Sequence, residues 1–118
     1  MASQSPYGSL ISSAQVEGTN VYASTDREKV GEINHLMIDR QSGRVAYAVM
    51  SFGGFLGIGQ DYHPVPWNAL KYDTSLEGYV TGITADQLNS APATDTSSWS
   101  DRAWESRVHQ HYNVPTYW

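Results

Sequence analysis

"VGEINHLMIDRQSGRVAYAVMSF", residues 30–52, sets two apolar runs on either side of a short polar turn. The first run is apolar at Val30 and Ile33, then at Leu36 and Ile38. A change of phase inside one run predicts a strand over 30–40 that is bent by a β-bulge. "QSGR" (41–44) reads as a tight turn, since Gly43 can take a positive φ at low cost. "VAYAVMSF" (45–52) is the most apolar strand of the chain. Val45, Tyr47 and Val49 occupy one face of it, and Ala46, Ala48, Met50 and Phe52 the other. A strand apolar on both faces must be covered on both faces, so this hairpin predicts the centre of a β-rich core.

Upstream, "SSAQVEG" predicts one helical turn, with Ser12 and Gln15 as a capping box and Gly18 as its stop. "TNVYAS" (19–24) is a short strand by its β-branched and aromatic content, followed by the polar turn "TDREK". Downstream, "DYHPVPW" carries two prolines and can only be an edge or broken strand. "NALKYD" and "EGYVTGI" complete the strands, and "TADQLNSAP" closes the region as a helical turn capped by Thr84 and Gln87. Short strands divided by turns predict a small, strongly bent antiparallel sheet, most simply a barrel. The chain thus divides into an N-terminal arm (1–8), a barrel region (9–92), and a polar linker with a C-terminal amphipathic helix and tail (93–118). The helix is expected over 98–113, with Ser98 and Asp101 as its capping box and Trp104, Val108 and Tyr112 along one stripe.

"LISSAQVEGTNVYAS", the run from Val30 to Asp73 and "LNSAP" together resemble a stand-alone PRC-barrel domain over roughly residues 9–92. That family takes its name from a barrel shared by the photosynthetic reaction-centre H subunit and a ribosome maturation factor. The turn "TDREK" (25–29) departs from the resemblance in lacking a glycine. The resemblance implies a six-stranded antiparallel β-barrel, mainly β, with short helical turns. It also implies a binding or assembly module without an established activity. A role in ribosome maturation or photosynthetic electron transport is the alternative, by fold analogy alone.

Composition narrows the classes of function. Twelve acidic against seven basic side chains give a net charge of -5, and the cations do not cluster. Nucleic-acid binding needs a basic face to neutralise phosphates, so it is not expected. The chain has no cysteine, which excludes disulfides and thiolate metal sites. No run reaches the length of a membrane span, and the first residues lack a signal pattern, so a soluble, cytoplasmic protein is expected.

The chemistry-bearing candidates yield no catalytic, cofactor or metal site. Gly53, Gly54, Gly57 and Gly59 resemble a phosphate loop only in composition: no Lys follows them, and Gly57-Ile58-Gly59 runs into a proline stretch rather than a helix. His109 and His111 diverge on a helix, while His35 and His63 lie on separate strands, so solvated histidines are expected. No G-x-S-x-G is present and the carboxylates, Asp39, Asp61 and Asp73 among them, are scattered. An enzyme is therefore not expected. What remains is apolar surface: Phe55, Leu56 and Ile58 on the glycine-rich loop, with Trp104, Tyr112 and Trp118 on the tail. These six either cap the chain's own core or form a contact surface. The reading taken forward is a self-associating interaction module, a homodimer with room for an unidentified protein partner.

Overall fold

The computed structural model describes residues 9–52, 62–92 and 98–118. The glycine-rich stretch at 53–61, with Phe55, Leu56 and Ile58, lies outside the described residues. Six strands form one sheet: β1 (Asn20–Ala23), β2 (Lys29–Ile38), β3 (Val45–Ser51), β4 (Tyr62–Pro66), β5 (Leu70–Asp73) and β6 (Gly78–Thr81). Among the described residues three α-helices accompany them, α1 (Ser13–Val16), α2 (Ala85–Asn89) and α3 (Arg102–His111).

The sheet order is β4-β3-β2-β1-β6-β5. Every pairing is antiparallel except β1–β6, which is parallel, with Val21 opposite Tyr79 and Ala23 opposite Thr81. The expectation of a closed, antiparallel barrel is corrected on both counts: the sheet is mixed, and it forms a half-barrel. Parallel neighbours need a long crossover, and here the whole β2–β5 segment supplies it. Closure fails because the free strands β4 and β5 do not pair with each other. Pro64 and Pro66 deprive β4 of two N–H donors, which confines it to an edge. Strong curvature is nonetheless enforced by chain length. The short 3-10 turn Trp67–Ala69 joins the two edge strands. It lets them start no more than roughly 14 Å apart. The edges of a flat six-stranded sheet would lie roughly 24 Å apart.

The central hairpin is as its residues predict. Register shifts between Ile33 and His35, and again between Met37 and Ile38, bulge β2 against β3. The turn is held by the Asp39 carboxylate, which accepts from the Ser42 amide at 3.2 Å and hydroxyl at 2.6 Å. Gly43 sits at φ +78. Every residue of β3 from Ala46 to Met50 is buried. Close approach at the β2–β3 seam explains Gly31, where a Cβ would collide with the backbone oxygen of Ser51 and press on Phe52. Gly31→Ala is therefore expected to cost about 1–3 kcal/mol through overpacking, measured as a lower urea midpoint; an unchanged midpoint would contradict this packing.

In the glycine-free turn after β1, Arg27 itself takes the left-handed conformation, at φ +62. Its guanidinium pairs with Asp73 at 2.8 Å, tying that turn to the end of β5. Ser12 caps α1 by accepting from the Ala14 amide, and the Thr84–Gln87 capping box of α2 forms in full. The C-terminal helix starts later than expected. Residues Ser98–Ser100 make a 3-10 turn, and Asp101, not Ser98, caps α3 by accepting from the Ala103 amide. The Asp101 carboxylate also meets the positive end of the helix dipole.

Candidate functional site

Helix α3 lays Trp104, Val108 and Tyr112 into the same core as Val21, Ile33, Ala48, Met50 and Val65. The stripe is nearly sealed from solvent, at 2%, 1% and 6% exposure. At a helical period the flank of this stripe carries Glu105 and His109, four residues apart, and both are buried with it. Across from them stands Tyr47 of β3. Its ring is packed against Trp99, Trp104, His109 and Tyr117, with centroids 5.3 to 6.3 Å away.

These side chains make one polar cluster. Glu105 Oε1 accepts from the Tyr47 hydroxyl at 2.9 Å and from the Tyr117 hydroxyl at 2.5 Å. His109 Nε2 lies 3.0 Å from the Tyr47 hydroxyl, and its Nδ1 donates to the Pro115 carbonyl at 2.9 Å. The Arg102 guanidinium lies 3.6 Å from Glu105 Oε2 and sits 4.0 Å over the Trp118 ring. The tail is thereby pinned from both sides, by hydrogen bonds to Glu105 and His109 and by the stacked Arg102.

Burial, then the hydrogen bond to Glu105, raises the Tyr47 phenol far above its ordinary range. Burial and the same carboxylate push Tyr117 up to about 12. Neither phenol is therefore a nucleophile or base near neutrality. Burial holds the His109 imidazole below its ordinary value, against the smaller upward pulls of the Pro115 carbonyl and Glu105. As pH falls, the unfolded chain takes up this proton before the folded one does. Stability is thus expected to be full above about pH 6.5 and to decline below it. Urea midpoints between pH 7 and 5 should follow this slope, and His109→Gln should flatten it; an unaltered slope would remove His109 as its source.

Beside the cluster, between the β2–β3 hairpin and the C-terminal segment, lies a cavity of about 260 Å³. Tyr47, Trp99 and Tyr117 face it together with Glu105, Asp39 and Arg40. Among the described residues no group of His and carboxylates is arranged to hold a metal ion.

The structure places the sequence-selected residues as follows. Trp104 and Tyr112 are core residues of their own chain, and Trp118 is half exposed, under the Arg102 guanidinium and edge to face with His109. Phe55, Leu56 and Ile58 fall outside the described residues. The expectation of solvated histidines fails at His109, which is 3% exposed. The signal was present in the helical stripe: once Trp104, Val108 and Tyr112 point inward, positions 105 and 109 must border them. His111 donates to the Gln87 carbonyl at 2.6 Å, which joins α3 to α2. No helix among the described residues is long and apolar enough to cross a membrane.

Comparison with known proteins agrees with this architecture. No curated protein matches the sequence. The sequence model of the PRC-barrel domain matches residues 9–88, well over half of the chain. A curled β-sheet centred on the bulged β2–β3 hairpin, together with that match, places this chain in the PRC-barrel domain family.

Proposed function

We propose that the chain is a non-enzymatic interaction module that self-associates as a two-fold dimer. The observation that carries this reading is the pair of strand edges, on β4 and β5, that pair with no other strand among the described residues. Exposed edges invite pairing with another chain unless they are blunted. Prolines blunt β4, whereas β5 has none. Tyr72 on β5 is 49% exposed and is flanked by Lys71 and Asp73. Two antiparallel copies about a two-fold axis at Tyr72 would set each Lys71 against the Asp73 of the other copy, a favourable cross-strand pairing. The non-enzymatic reading is supported by the buried cluster, whose two phenols donate to Glu105 and stay protonated near neutrality. Light scattering after size-exclusion chromatography tests the dimer, since each chain weighs 13.1 kDa. Twice that mass is expected for the full chain, and Lys71→Glu should shift it toward monomer. A monomer at every concentration would sink the reading, and a dimer indifferent to Lys71→Glu would remove β5 from the interface.

A further inference from the structure

Self-association makes no use of the Tyr47 hydroxyl. Tyr47 is 1% exposed, and its hydroxyl donates to Glu105 Oε1 at 2.9 Å. His109 Nε2 lies 3.0 Å from the same phenolic oxygen. Because His109 Nδ1 donates to the Pro115 carbonyl, Nε2 of the neutral ring is left as an acceptor. One phenolic proton therefore has two acceptors within hydrogen-bond distance, a carboxylate and an imidazole. At rest the proton stays on the phenol, held there by burial and by the carboxylate.

This environment suits the removal of an electron together with that proton. Loss of the electron alone would leave a buried cation, and an uncompensated buried charge is costly. Loss of both leaves a neutral ring and neutralises the buried carboxylate, with the proton moved by a single hydrogen bond. A path for the electron is present as well. Tyr117 meets Tyr47 at 5.8 Å between ring centroids, and Trp118 meets Tyr117 at 5.0 Å, both edge to face. Trp118 is 50% exposed, so two ring-to-ring steps connect the sealed phenol with solvent.

We infer that Tyr47 is a reversible one-electron donor to outer-sphere oxidants that meet the tail at Trp118. In the step the Tyr47 O–H bond breaks and its proton passes to Glu105 Oε1 along the existing hydrogen bond. The electron leaves through Tyr117 and Trp118, and the oxidant is reduced by one electron. Tyr47 becomes a neutral phenoxyl radical and Glu105 a carboxylic acid. Re-reduction returns the electron through the same rings and the proton from Glu105. A radical sealed from solvent on Tyr47 outlives one on an exposed ring such as Tyr62, which is 57% exposed.

The test is flash oxidation of the full chain by photogenerated tris(bipyridine)ruthenium(III), followed by transient absorption and freeze-quenched electron paramagnetic resonance. A long-lived tyrosyl radical is expected, formed more slowly in heavy water than in ordinary water. Tyr47→Phe keeps the ring and should lose this signal, whereas Tyr62→Phe should retain it. Glu105→Gln should slow its formation at least roughly tenfold, since an amide oxygen is a far weaker base than a carboxylate. That variant leaves Tyr47 in place and decides the matter if Tyr47→Phe does not fold, as judged by near-UV circular dichroism. Trp118→Ala should also slow formation, and an unaltered rate would overturn the tail as the exit for the electron. A signal that survives Tyr47→Phe, a tryptophanyl radical in its place in the parent chain, or a parental rate in Glu105→Gln overturns the inference.

Discussion

A chain ending at Pro92 is expected to lose cooperative folding. Residues beyond that point supply Trp104, Val108 and Tyr112, at 2%, 1% and 6% exposure, to a core shared with β1, β2 and β3. Truncating one buried tryptophan costs about 3–5 kcal/mol, and a domain of this size has about 5–15 kcal/mol to lose. Removing the whole helix also strips the cover from Tyr47, which is 1% exposed. Urea denaturation followed by near-UV circular dichroism should show no sigmoidal transition, and the truncated chain should bind a hydrophobic dye. Trp104→Ala in the full chain should remain folded but lower stability by about 3–5 kcal/mol. A truncated chain that unfolds cooperatively, within about 2 kcal/mol of the parent, would show that α3 is dispensable. The molar mass of such a truncation therefore reports on folding rather than on assembly.

Glu105→Ala is expected to be the most damaging polar substitution. One carboxylate oxygen receives both the Tyr47 and the Tyr117 hydroxyls, and the other faces Arg102. Alanine leaves the buried Tyr47 hydroxyl with His109 alone and unpins Tyr117 from the helix. The predicted loss is about 2–4 kcal/mol, from unmade hydrogen bonds to buried groups. In a domain of this length that corresponds to a fall in Tm of roughly 10 °C. Glu105→Gln keeps an acceptor oxygen in place and should cost about half as much. A cycle pairing Glu105→Ala with Tyr117→Phe should give a coupling of about 1 kcal/mol or more. Equal, negligible losses for the alanine and glutamine variants would show that the cluster does not hold the tail.

The elements themselves were legible because they are encoded locally. The bulge in β2 is visible as a phase change between Ile33 and Leu36, and the β2–β3 turn as Asp39 followed by Gly43. The Thr84–Gln87 box and the Trp104–Val108–Tyr112 stripe are likewise patterns of three or four residues. The start of α3 was harder, since Ser98 and Asp101 both satisfy the cap pattern and only packing of Trp99 against Tyr47 and Trp104 decides between them.

By itself the sequence determined a mainly β chain of the PRC-barrel family, with a central apolar hairpin, a proline-blunted strand and an amphipathic C-terminal helix. Tertiary structure alone decided that β1 lies parallel to β6, that the barrel stays open, and that Glu105, His109, Tyr47 and Tyr117 meet. Hydrophobic period and cap chemistry act over a few residues, so they can be read along the chain. The Tyr47–Glu105 contact closes 58 residues, and its partners are chosen by how the curled sheet and α3 share one core.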